Sequence, residues 1–376
     1  MKIAVLLPDI ERWSSFHGGA CARVVEETIA QPSFSEMEVM VFCPSCHTKY
    51  AYSSPQFEPR FMSFWLFLNR FFRKISPSLD GWMWILPQYL KLKKYDLIHI
   101  HNRPHYGLIL RKLGYKGVII NHLQNDFNKS STTFAKTVVD SCEMVISCSQ
   151  NISDRFFEKY PQGKHKAAVL NNGANPDKFA YGPLEGRKKQ LIFMGRNDPI
   201  KGIDLLLDAY ERLLIKHPDL KLVMTGSAKF GDRHDLTDFE RKIHDRIKEI
   251  NQNGGHIQHE GYVEYERLPV LLRESLIFCL PSVVHDAFPL VILDAMFTGT
   301  PIVSTKMGGI PEAVGKWGAL AEPNVDSLYQ ELDALLQDQQ RLSAYNIHSH
   351  QRALEHYSWS TIAEKQYNIY KSFEKN

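Results

Sequence analysis

Long apolar runs are missing from this 376-residue chain. No stretch approaches the roughly 18 uncharged apolar residues of a bilayer-crossing helix, so no membrane span is expected. The opening run, Ile3 to Leu7, is stopped by Pro8 and Asp9, too short for an export signal, and reads as a buried first strand. Cysteine is scarce: six residues without an export signal point to reduced thiols in a cytoplasmic setting rather than to disulfides. One pair, Cys43-Pro-Ser-Cys46-His47, has the C-x-x-C-H spacing of haem attachment and of half a zinc knuckle. Haem attachment calls for export, and Cys142 and Cys148 lie six apart and do not complete a zinc site, so packed thiols are the reading. Neither sign of charge predominates: 45 Lys and Arg against 42 Asp and Glu give +3, with no global argument for nucleic acid as a partner. G-x-G-x-x-G is absent as well, which argues against a dinucleotide-dependent oxidoreductase.

What is present is the composition of a packed protein, 44% hydrophobic and 23% charged, long enough for two domains of roughly 150 to 200 residues. Short β-rich runs alternate with amphipathic helical stretches, the pattern of α/β domains with parallel sheets. In the first half the expected strands are Lys2 to Leu7, Val39 to Phe42, Leu97 to His101, Gly117 to Asn121, Met144 to Ser147 and Ala168 to Leu170. In the second they are Gln190 to Met194, Lys221 to Thr225, Ile257 to His259, Leu276 to Leu280 and Pro301 to Ser304. The turn formers of Asn171 to Pro176 and Tyr181 to Gly186 mark the boundary. The expected division is therefore 1–175, 176–355 and a helical tail, 356–376, returning to the first domain. Ligands of open parallel sheets bind at the carboxyl ends of the strands, in a cleft expected between the two halves.

Two segments at such strand ends carry chemistry. Pro281 to Pro301 holds Asp286 and Asp294 across the start of a helix whose first turn suits Pro289; the free amides that follow would attract an anion. An N-cap aspartate and a solvated one are the alternative. Leu191 to Leu205 runs from a buried strand through Gly195, Arg196 and Lys201 into a helix starting at Gly202. A planar guanidinium and a compact ammonium suit a diphosphate, although a basic loop also serves as plain solvated surface.

Taken in order, Gly195-Arg196, Lys201-Gly202, Asp286-x7-Asp294 and Gly299-Thr300-Pro301 resemble the GT-B retaining glycosyltransferases of the GT4 family. Gly308-Gly309-Ile310-Pro311-Glu312, Gly318 to Pro323 and Asn172-Gly173 resemble its other segments. The resemblance implies a GT-B fold, two Rossmann-like α/β domains with parallel sheets facing a central cleft. It implies a nucleotide-sugar donor, most readily a UDP-sugar, gripped by Arg196 and Lys201, with Asp286 on the sugar and Asp294 on the ribose. Phe288, Pro289, Leu290 and Val291 would line the diphosphate, Gly226 the nucleotide side, and Val263 with Tyr262 the base. Both acids are glutamates in the family, so each side chain here is one methylene, about 1.5 Å, shorter. No D-x-D occurs in the chain, and with two cations beside the leaving group no cofactor or catalytic metal is expected.

The first half resembles the family less closely. Gly18-Gly19 stands where the family lets backbone approach the donor phosphates. His122, ending one strand, resembles the family histidine beside the donor sugar and is expected to be catalytic; His101, ending another, is the weaker donor-site candidate. Between Arg60 and Lys116 lie eleven Lys or Arg against Asp80 and Asp96 alone. Within that region, 61–74 interleaves Phe and Trp with basic residues, suiting an anionic membrane interface, a core helix with a basic rim, or a phosphate-bearing acceptor. The expected activity is retaining transfer of a hexose-type sugar to a glycan or lipid-linked acceptor of lipopolysaccharide type, in the cytoplasm or on the inner face of the plasma membrane. A GT-B nucleotide-sugar epimerase and a non-catalytic partner subunit are the alternatives.

Overall fold

Strands and helices alternate along the chain, and the computed structural model describes residues 1–14, 19–44, 52, 54–57, 62–76, 79–127, 129–227 and 236–374. Gly18, Cys46, His47 and Phe61 lie outside the described residues. The chain divides into two units, Met1–Asn172 with Trp359–Asn376, and Gly173–Ser358.

The first unit is built on β1 (Lys2–Leu6), β2 (Glu38–Phe42), β3 (Gln56–Phe57), β4 (Leu97–His101), β5 (Val118–Leu123), β6 (Met144–Ser147) and β7 (Ala167–Val169). These form one parallel sheet in the order β3-β2-β1-β4-β5-β6-β7. Parallel strands covered by helices on both faces read as near-continuous apolar runs, and β4 is buried at every position although two of its residues are histidines. Helix Trp359–Lys371 belongs to this unit. It buries Trp359 and Tyr370, and Tyr370 meets Phe34 edge-on at 5.8 Å between ring centroids. Burial of each such ring contributes roughly 1.5–3 kcal/mol, enough to fix the helix to the body of the unit.

The second unit carries β8 (Lys188–Met194), β9 (Lys221–Thr225), β10 (Ile257–His259), β11 (Ser275–Leu280), β12 (Ile302–Thr305) and β13 (Ala319–Ala321), ordered β10-β9-β8-β11-β12-β13. All its ladders are parallel. The expected strands are present with ends shifted by a residue or two, whereas the short edge strands β3 and β13 were not expected.

Helix Met62–Ile75 carries aromatic residues on both its exposed and its half-buried side. Phe64, Phe67, Phe71 and Ile75, spaced to share one face, are each more than half exposed. The buried anchor is Asn69, whose amide donates to Asp9 and Asp80 at 3.1 Å each and accepts from the Gly81 amide at 2.9 Å. The inward side of this helix pairs that polar anchor with half-buried Trp65, Leu68 and Phe72, while Arg70 and Lys74 are exposed. Among the described residues no helix is long and apolar enough to cross a membrane. Cys21, Cys43, Cys142, Cys148 and Cys279 are buried, none of them in a disulfide among the described residues, and burial pushes the Cys142 thiol up to about 11.

Candidate functional site

In the second sheet the strand order runs outward in opposite directions from the neighbours β8 and β11, and the loops leaving their carboxyl ends part to either side. The β8 loop runs from Gly195 to Gly202, and the β11 loop from Pro281 to Pro289. They are tied together: the Val283 amide donates to the Ile200 carbonyl at 3.0 Å. Gly202, at φ +71°, lies so close to Pro281 that a Cβ would stand 1.9 Å from its carbonyl oxygen. The β12 loop clamps the same region from the other side. The Gly309 amide donates to the Asp286 carbonyl at 2.8 Å, and a Cβ on Gly308, at φ +63°, would meet that oxygen at 2.0 Å. Only glycine serves at these two positions, because both the backbone conformation and the space exclude a side chain.

Between these loops Lys201 and Asp286 form an ion pair, and the Ser282 hydroxyl donates to the same carboxylate oxygen at 3.2 Å. Lys201 is 16% exposed and Asp286 14%, so the pair is largely desolvated yet reachable. Arg196 differs: it is 48% exposed, with Asp198 as a distant partner at 3.7 Å. Asp198 is engaged elsewhere, accepting from the Ile200 amide at 3.2 Å as the cap of a single 3-10 turn. The loop thus offers one held cation and one free arm.

Helix Leu290–Phe297 starts after Pro289, which is its N-cap rather than its first-turn residue. Leu290 and Val291 are half-buried and carry first-turn amides, which have no intrahelical acceptor. Phe288 points into the packing, 2% exposed and edge-on to Tyr357 at 5.5 Å. Asp294 has no exposed surface, so of the two acids only Asp286 presents its carboxylate at a loop. Gly195 and Gly226 follow β8 and β9; the Gly226 amide donates to Gly261 at 2.6 Å, which brings the Gly226 turn to the loop containing Tyr262 and buried Val263. Asn197, which the sequence did not single out, locks this side. Its amide reaches the Gly226 carbonyl at 3.1 Å and the His259 ring at 3.2 Å.

In the first unit Gly19 caps helix Ala20–Ile29, and the amides of its first turn already meet a carboxyl group. The Glu11 carboxylate accepts from the Ala22 amide at 2.7 Å, and burial pushes that carboxyl up from its ordinary range. Glu11 was not foreseen because it lies eleven residues away in sequence. His101 and His122 are register partners at the ends of β4 and β5, both about 1% exposed, with ring centroids 4.9 Å apart. Burial lowers the His101 ring to about 4 and His122 well below its ordinary value, so both are neutral at pH 7.

The family description "Glycosyl transferases group 1" matches residues 175–352, and "Glycosyltransferase Family 4" matches 19–178. Spore coat protein SA of Bacillus subtilis is 26% identical over 76% of this chain and 80% of its own length. Lipopolysaccharide 1,2-N-acetylglucosaminetransferase of Salmonella typhimurium is 26% identical over 72% of this chain and 71% of its own. Among solved structures, Anabaena HepE in complex with UDP and glucose superposes with a TM-score of 0.74 at 18% identity, covering 98% of this chain and 99% of that one.

Proposed function

We propose a reaction for this chain, which is a GT4-type glycosyltransferase of the GT-B fold: transfer of a hexose-type sugar from a nucleoside-diphosphate donor, with retention at the anomeric carbon. The observation that carries it is the triad at the β8/β11 crossover, with Lys201 held on Asp286 and Arg196 left half-exposed beside it. A bound diphosphate would compete with Asp286 for the Lys201 ammonium while Arg196 closes on its oxygens with a planar fork. Asp286, freed from its partner, would accept hydrogen bonds from hydroxyls of the donor sugar. The rate would come from stabilising charge as it develops on the departing diphosphate, with the Leu290 and Val291 amides adding their dipoles. Two cations do there what a divalent ion does elsewhere, so no cofactor or catalytic metal is assigned. His122, near the end of β5, would stand beside the donor sugar, with the His101 ring 4.9 Å from it between centroids.

UDP is the nucleotide to test first, since the HepE neighbour is solved with UDP and glucose. A lipid-linked or lipopolysaccharide-type acceptor fits the name of the Salmonella relative, a lipopolysaccharide N-acetylglucosaminetransferase. It also fits the outward stripe of Phe64, Phe67, Phe71 and Ile75, flanked by exposed Arg70 and Lys74, which would lie in an anionic membrane interface. Incubation of the purified chain with labelled UDP-sugars tests the reading. Hydrolysis or transfer sustains it, an isomerised sugar would favour an epimerase, and no turnover and no binding of any nucleotide sugar would leave a non-catalytic subunit.

A further inference from the structure

We propose that Tyr370 and His99 are positioning residues for His122: together they fix which ring nitrogens at the ends of β4 and β5 carry protons. The inference rests on the donor-sugar role given to His122 above and adds groups that act through it. His99 and His101 stand two residues apart on β4 and so point to one face of the sheet, and His122 is the register partner of His101 on β5. The His99 and His122 rings lie nearly parallel with centroids 5.3 Å apart. The His101 ring is 4.4 Å from that of His99 and 4.9 Å from that of His122.

The proton pattern follows from groups that can only donate or only accept. The Gln366 side-chain nitrogen donates to the Tyr370 hydroxyl at 2.7 Å. Tyr370 has no exposed surface, so the hydrogen of that hydroxyl goes to its remaining neighbour, His99 Nδ1, at 2.5 Å. Burial keeps His99 neutral, and with Nδ1 accepting, the one ring proton sits on Nε2. His101 is set the other way. Its Nδ1 faces the Gln124 side-chain oxygen at 3.1 Å while Gln124 turns its nitrogen toward Asn172 at 3.5 Å, so Nδ1 carries the proton and Nε2 keeps a lone pair.

His122 therefore lies between a ring that offers an N–H and a ring that offers a lone pair. Both its own nitrogens are buried with no hydrogen-bond partner among the described residues, as are the Nε2 atoms of the other two rings. With no bonded partner to hold the His122 proton, the fixed dipoles of its neighbours decide where it sits, and the buried surroundings screen them weakly. The favoured form turns its lone pair toward His99 and its N–H toward His101. A sugar hydroxyl then meets His122 as one neutral tautomer instead of a mixture, which is what an orienting group contributes. Helix Trp359–Lys371 thus acts on the strand ends of the first sheet through a single hydroxyl.

Proton–nitrogen NMR of the whole chain, labelled at its histidine ring nitrogens, reads each tautomer directly. His99 should be the Nε2–H form, His101 the Nδ1–H form, and His122 a single form. Tyr370→Phe, which keeps all three rings, should turn the His99 and His122 signals into mixtures of both tautomers. It should also lower kcat on the order of 10-fold to 10²-fold with the KM for donor little changed. An Nδ1–H His99 in the unaltered chain would overturn the assignment without recourse to any variant. So would a folded Tyr370→Phe chain with the parent's His122 signals, or with its kcat. A parent chain that shows the expected tautomers yet turns over no nucleotide sugar would defeat the transfer reading while sustaining the link from Tyr370 through His99 to His122.

Discussion

The two sheets of this molecule share a strand order and differ in what stands at their carboxyl ends. Leaving out edge strand β7, each sheet runs third, second, first, fourth, fifth and sixth in its own chain order, with the reversal between its first and fourth strands. In the first sheet the ends of β4 and β5 carry imidazoles that burial strips of charge. In the second, the ends of β8 and β11 carry full charges that are paired, partly exposed and mounted on glycine-locked loops. Topology therefore says where a ligand can sit, and solvation of the side chains there says which chemistry is possible.

The strongest way to break this contrast is Lys201→Ala. It leaves Asp286 partly buried without its cation, costing about 1.5–3 kcal/mol of stability, and should lower kcat on the order of 10²-fold to 10³-fold, read by donor turnover and thermal melting together. Arg196→Ala, whose side chain is half-exposed, should cost roughly 10² in kcat with an unchanged melt; turnover at the parent rate would remove Arg196 from the site. The first sheet should respond to acid instead. The folded-state values of His99, His101 and His122 lie below the unfolded value near 6.5, so the unfolded chain binds more protons as pH falls. Stability from these groups is complete above about pH 6.5 and is lost toward pH 4, the value for His101, by at most about 1.4 kcal/mol per pH unit per ring. Melts at pH 7.5, 6 and 5 should show this slope, and His101→Gln should reduce it. The smallest effect on folding is expected from Phe64→Ser with Phe67→Ser, within about 0.5 kcal/mol for each exposed site. The same double variant should pellet less with anionic vesicles; equal sedimentation of parent and variant would remove the membrane from the proposal.

Much of this was legible in the sequence because it is local. Strand–loop–helix punctuation placed Arg196, Lys201 and Asp286 at strand ends, and the spacing around Pro289 put Asp286 in a loop, where the structure has it. What was not legible depends on distant partners. Asn197 draws its meaning from Gly226 and His259, Glu11 from the amide of Ala22, and His99 from Tyr370, 271 residues away. Asp294, expected on the donor ribose by resemblance, is fully buried, a depth that helical spacing does not report. In helix Met62–Ile75 the interleaving of aromatic and basic residues was visible, whereas the buried Asn69 anchor, which depends on Asp9, Asp80 and Gly81, was not.

The return of Trp359–Lys371 to the first unit has a consequence for synthesis. Residues 173–358 are synthesised before that helix, so every strand of the second unit has been made while the first still lacks the helix that buries Trp359 and Tyr370. At roughly 5–20 residues per second, the earlier-made sheet waits about ten to forty seconds with one flank uncovered. The part of the molecule translated first is thus the last to be finished, and that interval is when a nascent chain most needs a chaperone.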